Sequence, residues 1–267
     1  MRLQGRGITG GRMDGLALVS HTPLSFLGGL DPDSGTVRDP QSDIVGASLA
    51  GRIFVFPQGK GSTVGSYVLY AACRRGVGPK AILCGRAETI VAAGAVIADL
   101  PLVDGVDIFA VETGDRIAVD GGSGGVELPD VREEAVASAF LRRGDRFLFL
   151  HRGPTAPTHP GLWHGVSGMV EGHEDSADCA LREIQEETGL AATEVARGDP
   201  LYVRHREHAF RIHPFLFDCP SGEPRLNFEN TEARWLTLAE VMALPTVPRL
   251  RDAVLAALHA VPRSPGA

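Results

Sequence analysis

The sequence predicts an α/β protein of two domains, a β-rich domain followed by an α/β/α sandwich. Short apolar runs punctuated by Gly and Pro fill the first 120 residues. A glycine run, Gly121-Gly122-Ser123-Gly124-Gly125, then has the composition of a flexible linker. Beyond it strands alternate with helices, one of them amphipathic and acidic. With 267 residues, 43% hydrophobic and 22% charged, the chain can build two cores. The expected division is a domain over 1–120, a linker over 121–129 and a second domain over 130–262.

Composition removes several classes of function. The net charge of −7, with no Lys/Arg block, excludes a nucleic-acid surface. Cys73, Cys84, Cys179 and Cys219 lie far apart and form no CxxC pair, so neither a zinc site nor an iron–sulfur cluster is expected in this chain. Free cysteines, the lack of a signal-peptide pattern and an apolar segment near Ile90–Val103 broken by Asp99 and Pro101 lead to the expectation of a cytoplasmic protein outside the membrane.

In the first domain, Leu16–Val19, Ile53–Phe56, Ala81–Cys84, Asp107–Val111 and Arg116–Val119 read as strands. Val64, Tyr67, Val68, Ala71 and Ala72 keep helical spacing, with Gly76 as a stop. The turn into that helix is Gln58-Gly59-Lys60-Gly61-Ser62-Thr63. It is not a phosphate-binding P-loop, because Gly61 separates Lys60 from the hydroxyls and Phe54 stands where that motif needs glycine. Two readings of Ser62 remain: an ordinary N-cap serine, or a hydroxyl at an anion-favouring helix start whose backbone N–H groups point outward.

The segments Gly15–Asp39, Gly51–Leu69 and Gly78–Asp104 follow one another in an order that resembles the aconitase-X type swivel domain, the family of the small subunit of archaeal phosphomevalonate dehydratase. The resemblance covers roughly residues 3–110 and implies a swivelling β/β/α fold. It also implies that Ser62 is a catalytic base whose alkoxide abstracts a proton, with Gly59, Lys60, Gly61 and Thr63 forming the anion-binding turn around it. Lys60 stands where arginine is commoner. The implied partner is a separate aconitase-like large subunit that carries the iron–sulfur cluster. The alternative is an anion-binding module without chemistry.

In the second domain, Ala135–Phe140 and Arg146–His151 read as a hairpin joined by Arg143-Gly144-Asp145. Leu201–His205, Ala209–Phe217 and Asn227–Leu236 read as further strands, and Pro248–Ala260 as the last helix. Between them lies an acidic helix capped by Asp175 or Ser176 and stopped by Gly189. Ala177, Ala180, Leu181 and Ile184 form its apolar stripe. Glu183, Glu186 and Glu187, spaced i, i+3, i+4, share one face. Like charges that close repel unless a cation neutralises them, and Mg²⁺ is a hard ion that takes carboxylate and phosphate oxygens.

From Gly168 to Leu190 the chain resembles the Nudix box at every defining position: Gly168, Glu174, Arg182-Glu183-Ile184, Glu186-Glu187 and Gly189-Leu190. The resemblance implies a Nudix α/β/α sandwich in which the Gly168 carbonyl, Glu183, Glu186 and Glu187 hold Mg²⁺ or Mn²⁺. The substrate would be a small-molecule diphosphate, nucleoside-diphosphate-linked or related, and Glu186 orients or deprotonates the attacking water. Glu174 and Arg182 pair to fix the loop, and Glu229 is a further ligand, a base or a plain surface carboxylate. His205, Arg206 and His208 are candidates for touching phosphates; Trp163 either stacks on a base or is a buried aromatic, the commoner fate of such a ring. A pyrophosphohydrolase competes with a ligand sensor, which would be expected to have lost box carboxylates; none is lost.

Overall fold

The computed structural model describes residues 1–156 and 158–261. The chain divides into two units, Met1–Arg132 and Glu133–Ala267.

The first unit is one mixed sheet with helices. In chain order it holds β1 (Arg2–Gln4), β2 (Arg6–Thr9), β3 (Arg12–Val19), a single turn α1 (Phe26–Gly29), β4 (Ile53–Phe56), α2 (Gly65–Arg74), β5 (Ala81–Cys84), α3 (Thr89–Ala98) and β6 (Leu102–Asp104). A 3-10 turn at Ile108–Ala110, β7 (Arg116–Asp120) and β8 (Gly125–Glu127) complete it. The strand order is β1-β8-β7-β3-β4-β5-β6-β2. Its centre, β3-β4-β5-β6, is parallel. Every residue of β4 and β5 is buried, as a parallel strand covered on both faces requires. Phe26, Phe54, Phe56, Leu69, Ile82 and Val91 make the core.

Two expectations change here, and one helix appears that the sequence reading did not assign. Asp107–Val111 is not a strand: the Asp107 carboxylate accepts the Phe109 N–H and winds a 3-10 turn. The apolar run after Glu88 is the helix α3, whose N-cap Glu88 accepts the Ile90 and Val91 N–H groups. The Gly121–Gly125 run is not a linker but the turn between β7 and β8, and β8 pairs with both β7 and β1. Asp120 accepts from Gly122 and Ser123, and Gly124 has φ +76. A Cβ on Gly121 or Gly124 would run into the carbonyls of Thr9 and Gly5, so the glycines serve close packing rather than flexibility. The first unit therefore continues to Arg132.

The second unit is a sheet between helices. It runs β9 (Arg132–Arg143), β10 (Arg146–Arg152), β11 (Trp163–His164), β12 (Val166–Met169), α4 (Ser176–Thr188), β13 (Thr193–Arg197), β14 (Leu201–His205), β15 (His208–Asp218), β16 (Asn230–Leu236), α5 (Leu238–Met242) and α6 (Leu250–His259). The order is β11-β10-β9-β15-β13, with β12 on β9, β14 on β15 and β16 on β10. Strand periodicity sorts the two faces. Ala137, Ala139, Leu148, Leu150, Phe215 and Phe217 pack with Ala177, Ala180 and Ile184 of α4. Phe140, Phe147, Phe149 and Leu216 pack instead with Val254 and Ala257 of α6. This is the α/β/α sandwich expected from the sequence.

Among the described residues no helix is long and apolar enough to cross a membrane. Both tryptophans of the chain, Trp163 and Trp235, lie in the second unit. Asp175 caps α4 by accepting the Ala177 N–H at 2.8 Å. Asp175→Ala is expected to lower the stability of this unit by about 1 kcal/mol, read as a shifted urea midpoint in tryptophan fluorescence.

Candidate functional site

Helix α4 carries the site. Gly189, with φ +65, ends it in the left-handed conformation. Ala177, Ala180 and Ile184 are buried as expected, but Leu181 is exposed, and Cys179, Glu187 and Thr188 complete the inward face. The acidic trio is therefore split. Glu187 is buried, Glu183 is half-buried against β12, and Glu186 faces solvent. Glu187 accepts the Ser167 N–H at 3.2 Å and an Asn230 Nδ2–H at 2.8 Å. Glu183 lies directly on Gly168, where a Cβ would collide with its carboxylate.

Arg182 ties the parts together. Its Nη1 donates to Glu183 at 2.6 Å and to Glu186 at 3.4 Å, while Nη2 reaches Glu174 at 2.9 Å and the Met169 carbonyl at 3.3 Å. Glu174 also accepts the Glu171 N–H at 2.8 Å, and the Arg182 bonds hold its carboxyl below the usual carboxylate range. The loop is thus pinned to the helix by the Glu174–Arg182 pair.

Burial pushes the Glu187 carboxyl up to about 7, with Glu183 and Glu229 adding to the shift and the Ser167 and Asn230 bonds opposing it. Glu183 is raised as well, by burial and against the pull of Arg182. Asn230 continues the network. Its amide donates to Glu187, so its Oδ1 accepts from His164 Nε2 at 2.9 Å, which leaves His164 Nδ1 to accept from Ser167 Oγ at 3.3 Å. Burial drives the His164 pKa down to about 4, with Arg152 contributing. Arg152 stands between Glu187 and Glu229 electrostatically, its own basicity reduced by burial, and its Nε is buried with no hydrogen-bond partner. Sequence reading missed Asn230, His164, Ser167 and Arg152 as site residues.

Among the described residues no group of three His, Cys, Asp or Glu side chains is gathered to hold a metal. The donor chemistry nevertheless fits a hard divalent ion. Every candidate ligand is an oxygen, and a guanidinium already bridges two of the carboxylates.

A cavity of about 400 Å³ opens beside this network. Gly168, Glu183, Glu229, Arg152, His159 and His164 line its polar end. The other sequence candidates lie elsewhere. Trp163 is buried in the core, its ring against His151 and under the Arg234 guanidinium, and no face is open for a base. His205 and Arg206 sit at the exposed β14–β15 turn, and His208 pairs with Glu134; none lines the cavity.

In the first unit, the turn between β4 and α2 places Gly59, Lys60, Gly61, Ser62 and Thr63 together. Gly59 packs where a Cβ would strike the Glu88 carboxylate, and Gly61 has φ +96. Lys60 Nζ lies 3.2 Å from Asp39 and 3.3 Å from Gln41 Oε1. Asp39 is buried and held below the usual carboxylate range by the Gln41 N–H, with Lys60 assisting. Ser62 is exposed and precedes the first residue of α2 by three positions, so it is not the N-cap; that position is Val64. The helix amides of Gly65, Ser66 and Tyr67 are taken by the carbonyls of Ser62, Thr63 and Val64 and do not point outward. The unclaimed N–H groups belong to the exposed turn itself: those of Gly61, Ser62 and Thr63 donate to no group among the described residues. Asp39, whose role the sequence did not disclose, orients the lysine. The cysteines do not converge, and burial pushes Cys84 up to about 12 and Cys73 and Cys179 to about 11, holding them as thiols.

A sheet between helices with this acidic helix and glycine-backed carboxylate defines a Nudix-type sandwich, and a parallel-centred sheet with a glycine-lined turn precedes it. Residues 2–128 match the aconitase X swivel domain and residues 132–258 the NUDIX domain. The phosphomevalonate dehydratase small subunit of Thermococcus kodakarensis is 58% identical over 128 residues, covering 48% of this chain and 96% of that protein. The holo-form crystal structure of aconitase X from Thermococcus kodakaraensis aligns at TM-score 0.48 and 57% identity, covering 48% of this chain and 98% of that one. A NUDIX hydrolase from Nitrosomonas europaea aligns at TM-score 0.43 and 16% identity, covering 49% and 93%. The chain belongs to the aconitase X swivel family through its first unit and carries a Nudix hydrolase domain as its second.

The His164 and Glu187 shifts oppose each other in stability. His164 has a lowered folded pKa, so the unfolded state takes up a proton first and stability falls as pH drops from about 6.5 to about 4. Glu187 has a raised folded pKa, so the native state takes up the proton and stability rises as pH drops from about 7 to about 4.5. Each contributes about 3 kcal/mol, and in the metal-free protein they largely cancel. His164→Gln in chelator is expected to gain stability on acidification through this window, and Glu187→Gln to lose it, both measured by urea unfolding against pH.

Proposed function

We propose that the second unit is a pyrophosphohydrolase dependent on Mg²⁺ or Mn²⁺. The observation that carries this reading is that Glu183, Glu229 and Arg152 line one cavity, while Glu187, buried and held by the N–H of the lining residue Ser167, couples electrostatically to both carboxylates. The Gly168 carbonyl, Glu183, Glu186 and Glu187 would hold the ion, which supplies charge neutralisation at the diphosphate and lowers the pKa of the attacking water. Glu186, exposed and loosely tied to Arg182, is free to orient or deprotonate that water. Glu174 and Arg182 keep the loop on the helix, Asn230 and Ser167 fix the Glu187 carboxylate, and Glu229 adds a ligand or a second base.

For the first unit we propose the small subunit of a phosphomevalonate dehydratase-type hydro-lyase, working with a separate aconitase-like large subunit that holds the iron–sulfur cluster. The 58% identity over 96% of the Thermococcus kodakarensis protein supports it. Ser62 serves as the base: the N–H groups of Gly61, Ser62 and Thr63 and the Lys60 ammonium favour a negative oxygen there. Both activities belong in the cytoplasm.

Glu186→Gln is expected to reduce hydrolysis about 10²- to 10⁴-fold, read by chromatography of the phosphorylated products, across a panel of ADP-ribose, dinucleoside polyphosphates, nucleoside triphosphates and isopentenyl diphosphate. A full chain that cleaves none of them and takes up neither Mg²⁺ nor Mn²⁺ would end the hydrolase reading. Because Glu187 loses its proton near pH 7, Mg²⁺ affinity from calorimetry should weaken as pH falls below about 7. Ser62→Ala is expected to abolish dehydration in a mixture with a cysteine-rich large subunit; full turnover by that variant would remove Ser62 as the base.

A further inference from the structure

The cavity beside the acidic network has a polar end and an aliphatic end. Across the β14–β15 ribbon Leu201 stands opposite Ile212, and Val203 opposite Phe210. All four line the cavity, and strand periodicity turns Tyr202, Arg204 and Arg211 to the other face. Leu250 and Ala253 of α6 and Val136 of β9 complete this wall. Phe210 is the only phenyl or indole ring among the lining residues, since Trp163 is sealed in the core. Arg249 also lines the cavity, but its guanidinium is committed to Asp252 at 3.0 Å and to the Tyr202 carbonyl at 2.8 Å.

A nucleobase and a ribose bring a row of donors and acceptors that must be matched. A polar group buried against aliphatic walls without a partner is destabilising, whereas a hydrocarbon tail gains from the same surface. Resting on the hydrolase reading above, we propose that the substrate of the second unit is a diphosphate ester of a short apolar alcohol, its tail against Val203, Phe210 and Ile212 and its diphosphate toward Glu183 and Arg152. A volume of about 400 Å³ suits a short tail. Water attacks phosphorus, the bridging P–O bond breaks, and the products are the alcohol's monophosphate, orthophosphate and one proton. Arg152, whose buried Nε has no partner, accepts the diphosphate charge as a binding residue.

The test is monophosphate product formation, read by chromatography, by the full chain with Mg²⁺ on geranyl, isopentenyl and methyl diphosphates beside ADP and ADP-ribose. Geranyl and isopentenyl diphosphates are expected to exceed ADP and ADP-ribose in kcat/KM by at least about tenfold, with about fourfold lost for each methylene-equivalent removed from the tail. Val203→Asp should raise KM for the geranyl ester with kcat largely kept. The milder Val203→Thr should shift KM in the same direction, and tryptophan fluorescence confirms folding of both. Equal or better turnover of ADP or ADP-ribose overturns this proposal and leaves the hydrolase reading standing. A KM indifferent to both Val203 substitutions overturns it as well. No cleavage of any diphosphate together with no Mg²⁺ uptake overturns both.

Discussion

Keeping the carboxylate of Glu187 inside the second domain is the constraint on which the rest of that site depends. A buried acid is costly unless it is hydrogen-bonded or loses its charge. Here it does some of each: Ser167 and Asn230 donate to it, and its proton affinity rises to about 7. These partners fix more than one side chain. Ser167 belongs to β12 and Asn230 opens β16, so a single acid on α4 sets where two strands lie against the helix. The neutral tautomer of His164 follows from the same network, because Asn230 must turn its amide toward the acid and its oxygen toward the imidazole.

The glycines of this chain do opposite jobs to the one their composition suggests. Gly168 has no side chain because Glu183 occupies the space, and Gly59 stands in the same relation to Glu88. Gly121 and Gly124 meet the carbonyls of Thr9 and Gly5. In each case a missing Cβ permits close approach, and the local backbone is packed rather than loose. In the first unit the Lys60 ammonium, the unclaimed amides at Gly61–Thr63 and the Ser62 hydroxyl share one turn, with the buried Asp39 as the lysine's partner.

Much of the fold was legible because it is local. The caps at Asp175 and Gly189, the buried runs Ile53–Phe56 and Ala81–Cys84, and the β14–β15 hairpin each carry their signal within a few residues. The acidic trio was legible as a pattern, but helical spacing does not say which member is buried, and only packing against β12 and β16 separates Glu187 from Glu186. What failed was non-local. Gly121–Gly125 reads as a linker until β1 and β2 arrive from over a hundred residues away. Asn230, Arg152 and Asp39 look like any surface polar residue until distant elements enclose them. Trp163 as a base-stacking ring fell to the same limit, since aromatic character alone does not disclose which face is open.

Arg182 grips Glu174 on one side and Glu183 and Glu186 on the other. The helix thereby carries an internal counter-ion, and its acids need no outside cation to coexist in the folded chain. A divalent ion at those oxygens would meet a tethered competitor rather than bare charge. Arg182 would have to yield Glu183 and Glu186 to it while keeping Glu174, so the guanidinium would set how tightly such an ion is held.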